Sequence, residues 1–138
     1  MATSPDLSST PIEIDESPEA VFQFMLEQGW SDGLPVIPPT TDRVRAMLDY
    51  AQRDASDLIG YINPDAGAAT VEKIAVNGVM AGCLPEYMPV LIAAVKAITE
   101  PEFNIHGLQT TTNPVSPLLI INGPVRGLIG LNSGRGTL

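Results

Sequence analysis

The 138-residue sequence predicts an α/β fold, with helices packed on a small mixed sheet that a partner chain completes. Three observations lead there. Four segments repeat apolar residues at helical spacing behind capping signals. Short apolar runs at residues 58–63, 103–108 and 118–121 are broken by Asn, Gly or Thr/Pro-rich loops and read as strands. The last of these, Leu118-Leu119-Ile120-Ile121, is apolar at consecutive positions, the pattern of a strand buried on both faces. Such a strand needs hydrogen-bonding neighbours on both sides, and the chain offers few strands to supply them.

In chain order, residues 1–16 form an extended acidic arm rich in Ser, Thr and Pro, and residues 17–138 form one domain. The first helix starts at Ser17-Pro18-Glu19, with a hydroxyl at the N-cap, proline at the first helical position and an acid in the first turn. Val21, Phe22, Met25 and Leu26 make its apolar face, and Gly29 closes it. Asp32-Gly33 is a turn signal, and Pro35, Pro38 and Pro39 stiffen the loop that follows. Thr40 or Thr41 caps a second helix with Val44, Met47 and Leu48 inside. Thr70 opens a third, with Val71, Ile74, Ala75 and Gly78 on one side, where the glycine lets another element approach closely. Gly82 stops it, and Cys83-Leu84-Pro85-Glu86 starts a fourth helix through Val90, Leu91, Ala94, Val95 and Ile98. The chain stops in a Gly-rich loop with no further element to use it, which places an expected partner at the C-terminal edge.

Charge narrows the partners. Charged residues are 17% of the chain, below the roughly 25% typical of soluble domains, as expected if some surface is covered by another chain. The net charge of −9 is concentrated: residues 1–42 hold eight acids and no Lys or Arg. An acidic arm disfavours nucleic acid and anionic membranes. No apolar run is long enough to span a bilayer. A single cysteine precludes an internal disulfide, and a reducing cytoplasm is the default location.

Candidate chemistry sits at a few residues. Cys83, placed where the fourth helix begins, is in position for helix amides to favour its thiolate, or is a small buried apolar residue. His106 is the only histidine, at the end of the expected strand over 103–108. Trp30, Asp32 and Gly33 on the braced loop line a pocket, or Asp32 simply serves the turn. Thr111, Thr112, Asn113 and Asn122 follow expected strands, at the sheet edge where α/β proteins gather ligands. Asn132, Ser133 and Arg135 in the closing loop could hold an anion, although the spacing matches no nucleotide motif. No CxxC, HxH or HExxH spacing exists, so no multi-ligand metal site is expected within the chain. No cofactor is specified; a metal shared with a partner would take one ligand each from Cys83 and His106.

Four strings together resemble a known family: Gly29-Trp30-Ser31-Asp32-Gly33-Leu34-Pro35-Val36-Ile37-Pro38-Pro39-Thr40, Ala69-Thr70-Val71-Glu72-Lys73-Ile74-Ala75, Met80-Ala81-Gly82-Cys83-Leu84-Pro85-Glu86-Tyr87 and Asn122-Gly123-Pro124. The family is bacterial and is associated with proteins carrying a (seleno)cysteine-Gly-Ser-Cys motif, loosely similar to glycine reductase components. The resemblance covers residues 17–134. It implies thiol or selenol chemistry shared with a second subunit, with Trp30, Asp32, Gly33, Cys83, Glu86 and Asn122 inside the matching strings. It also implies a chain that continues past residue 134, so this one resembles an N-terminal part or a split subunit. The expectation is one subunit of a heteromeric oxidoreductase or lyase acting on a small organic substrate. Cys83 or a partner thiol would attack or reduce the substrate, and Asp32 or Glu86 would move protons. A non-catalytic scaffold and a shared metal site are the rival expectations.

Overall fold

The computed structural model of the chain describes residues 7–134, and the order of elements among them is α1 (Pro18–Glu27), α2 (Thr41–Ala51), β1 (Leu58–Ile62), β2 (Gly67–Thr70), α3 (Val71–Met80), α4 (Met88–Thr99), α5 (Ile105–Thr110) and α6 (Val125–Leu128). Single 3-10 turns at Pro85–Tyr87 and Pro101–Phe103 lead into α4 and α5. The helix starts follow the capping chemistry. Ser17 accepts the Ala20 amide at 3.4 Å, and Thr70 accepts the Lys73 amide at 3.3 Å.

The fold is α/β, with helices on a small sheet. Among the described residues that sheet is the β1–β2 hairpin, so its pairing is antiparallel rather than mixed. Its register sets Gly60 opposite Ala69 and Ile62 opposite Gly67, with an irregularity between Leu58 and Gly60. Helix α3 packs on α2 and α4, and α4 lies against β1. The core is one cluster centred on α2, α3 and the start of α4, including Val44, Met47, Leu48, Val71, Ala75, Val79 and Met88, with Met47, Leu48, Val71 and Met88 fully buried. Each large side chain so buried stabilises the fold by about 1.5–3 kcal/mol. The expected close approach at Gly78 is present. A Cβ there would lie 2.9 Å from Met47 Cε and 3.0 Å from Leu91 Cδ1, so three helices meet at a position with no side chain. A second such contact joins sheet to helix: a Cβ on Gly60 would lie 2.7 Å from Thr99 Cβ, so the β1 backbone rests on the Thr99 side chain at the end of α4.

Two expected strands are corrected. Residues 103–108 fall in a 3-10 turn and α5, not a strand. Pro101 starts the turn, and Asn104 takes a left-handed conformation (φ 54°) from which its side chain accepts the Gly107 amide at 3.3 Å. Local capping thus outweighs the apolar pattern there. Residues 118–121 belong to no strand and are not buried: Leu118 is 84% and Ile120 82% exposed. Their apolar sequence is the pattern of a buried strand, but none of the described residues covers it.

The arm also has definite structure. Among its described residues, Ser8 and Ser9 dock on Glu72 in the first turn of α3, and Glu72 is only 1% exposed. Residues 1–6 of the arm, and Arg135 and Gly136 of the closing loop, lie outside the described residues.

Candidate functional site

Cys83 owes its position to the way α3 ends. Gly82 adopts φ +79°, its amide reaches the Val79 carbonyl at 2.9 Å, and the Cys83 amide reaches the Gly78 carbonyl at 2.8 Å. This pair of bonds is a Schellman ending, in which the residue after the left-handed glycine folds back on the last turn. Cys83 accordingly packs over Gly78, where an added Cβ would lie 3.8 Å from Cys83 Cβ. The expected helix-start activation of this thiol is therefore corrected. Helix α4 begins at Met88, beyond the 3-10 turn, and the helix end nearest Cys83 is the carbonyl end of α3. Carbonyl dipoles do not favour a thiolate. Burial pushes the thiol pKa up, and no neighbouring group opposes it.

The thiol lines a cleft of about 680 Å³ between the β1–β2 hairpin, α3 and α4. Ile74, Gly78, Leu91 and Val95 make its apolar wall, and Asp65, Lys73, Asn77 and Gln109 bring polar groups to it. The Asn77 amide donates to the Lys73 carbonyl at 2.8 Å, which leaves its side-chain oxygen as an acceptor. Lys73 makes no ion pair; among the described residues the ion pair is Arg53 with Asp57. The arrangement suits a small, mostly apolar molecule with one or two polar groups.

The other expected site residues lie elsewhere. Trp30 lines a second cleft, of about 510 Å³, bounded by the arm, α1 and α2. Helix α3 separates the two: Glu72 and Val76 face the Trp30 cleft, Lys73 and Asn77 the Cys83 cleft. Asp32 accepts the Leu34 amide at 3.3 Å, and Gly33, at φ +102°, donates to Ser31 Oγ at 3.1 Å, so both serve the turn. Glu86 is exposed in the 3-10 turn before α4. His106 is exposed on α5 and lines neither cleft, whereas Gln109, one turn on, lines the Cys83 cleft. Thr111, Thr112 and Asn113 follow a helix rather than a strand, with Thr111 Oγ1 accepting the Asn113 amide at 3.2 Å. Asn122 is exposed after the uncovered stretch 118–121. Asn132 and Ser133 line a shallow third hollow with Arg126, about 530 Å³ in volume. Among the described residues no three His, Cys, Asp or Glu side chains gather as metal ligands, and no helix is long and apolar enough to cross a membrane.

Two features of the cleft linings do not stand out in the sequence. Lys73, Asn77 and Gln109 were unremarkable surface polar residues in the pattern. Glu72 is the other: at α3 spacing it aligns with Ala75, Val76 and Val79, so its buried side was readable from periodicity alone. No protein-family model, curated protein or solved structure matches the chain.

Proposed function

We propose that the chain is one subunit of a heteromeric enzyme acting on a small organic substrate by thiol-dependent redox or lyase-type chemistry, and that the Cys83 cleft is its share of the active site. The observation that carries this reading is a partly buried thiol on the wall of an apolar cleft edged by Lys73, Asp65, Asn77 and Gln109. A thiol whose pKa is raised by burial is a poor nucleophile until a base or a cation is brought to it. Lys73 and Asp65 edge the cleft but do not offset the rise in the thiol pKa, and His106, Asp32 and Glu86 do not line it, so the reading assigns the activating group to a partner. The exposed Leu118, Leu119, Ile120 and Leu128 favour a partner docked at the C-terminal side. A metal shared across the interface, with Cys83 as one ligand, is a second way to deprotonate the same thiol.

The test is the complex recovered through a tag on this chain. Cys83→Ala should abolish turnover while the complex still assembles, and thiol alkylation at Cys83 should be faster in the complex than in the isolated chain. Unchanged turnover would leave this chain as a scaffold, the reading that the raised thiol pKa favours by itself.

A further inference from the structure

The Trp30 cleft is a separate cavity with its own chemistry. Its volume of about 510 Å³ lies within the roughly 300–1,000 Å³ of small-molecule sites. Trp30 and Phe24 meet edge to face, centroids 5.8 Å apart at 82°, and Trp30 is still half exposed, so much of the indole surface is open to a ligand ring. Ile12 of the arm, Pro38 and Val76 give the cavity an apolar body.

The charge complement is Arg45, the one base that lines the cleft among the described residues. Its side chain makes neither hydrogen bond nor ion pair among the described residues, whereas Arg43 on the same helix is spent on the Pro38 carbonyl at 2.9 Å. Among the described residues the carboxylate lining the cleft is Glu72, which is 1% exposed and whose two oxygens already accept three hydrogen bonds from Ser8 and Ser9. It offers a ligand no acceptor, and its charge sits at the N-terminus of α3, which offsets it. An apolar cavity with an open aromatic face and one uncommitted guanidinium is complementary to a small ring carrying a carboxylate.

We infer that the cleft beneath Trp30 is a binding site for a small aryl carboxylate, with its ring on Trp30 and its carboxylate on Arg45, independent of the Cys83 cleft. Trp30 is the chain's only tryptophan, so its emission reports on this site directly. Phenylacetate should change that emission saturably. Arg45→Met, an exposed substitution that breaks no internal bond, should weaken binding by about tenfold or more, and 2-phenylethanol should bind the unaltered chain more weakly by a similar factor. Alkylating Cys83 should leave the titration unchanged. A linear, non-saturating response, equal affinity in Arg45→Met, or equal affinity for 2-phenylethanol would overturn the assignment. Loss of the response on alkylation would overturn it too, by placing the ligand in the other cleft.

Discussion

Ser8 Oγ donates to Glu72 Oε2 at 2.6 Å, and the amides of Ser8 and Ser9 add bonds of 3.0 and 2.9 Å to the same carboxylate. Burial by itself would raise the Glu72 pKa, but these donors outweigh it and bring the pKa down from 4.5 to about 2. Because the folded value lies below the unfolded one, the stabilisation is fully present above about pH 4.5 and is lost as pH falls toward 2. The shift corresponds to about 3 kcal/mol. Glu72→Gln should therefore lower stability at neutral pH by about 2–3 kcal/mol and flatten the acid limb of the stability profile, as read by urea unfolding across pH. Ser8→Ala, which spares both amides, should cost about 1.5 kcal/mol.

Gly78 is where α2, α3 and α4 come together. Gly78→Val would push its side chain into Met47 and Leu91, and the expected cost is about 2 kcal/mol in chemical denaturation. Gly78→Ala should cost much less, because the methyl group meets flexible side-chain ends and the helix gains about 1 kcal/mol of propensity.

The raised thiol pKa gives a kinetic signature. Iodoacetamide should modify Cys83 of the isolated chain more slowly at neutral pH than it modifies free cysteine, with the rate climbing at a higher pH than for the free amino acid. A rate equal to or above that of free cysteine would mean that this chain activates the thiol itself.

Leu118 and Ile120 are more than four-fifths exposed. Replacing both with Glu should leave the thermal midpoint of the isolated chain almost unchanged, with an effect within about 0.5 kcal/mol. The same change should abolish recovery of the proposed partner. A large loss of stability would show instead that these residues are covered within the chain.

What could be read from the sequence was mostly local. Ser17-Pro18 and Thr70 announced their helices because a cap is made by residues three apart, and Gly78 announced a close approach because it interrupts an apolar face. The failures concern residues whose state is decided at a distance. Apolar residues 118–121 carry the pattern of a buried strand, but pattern does not say what does the burying. Cys83 precedes a proline-led helix start in the sequence, yet its environment is set by the Schellman bonds that fold it back over α3. Trp30 and Cys83 belong to two of the motif strings that share one resemblance, but α3 stands between their clefts, which only the packing reveals.

The contact between Gly60 and Thr99 bears on how the Cys83 cleft can admit a molecule. The β1 backbone meets the Thr99 side chain there, so a side chain added at Gly60 would have to displace Thr99 or lever the hairpin from α4 and widen the cleft between them. The six-residue helix α5, capped at its start by Asn104, adds Gln109 to the lining of the same cleft. The spacing of the two walls thus depends on Gly60, a residue that does not line the cleft itself.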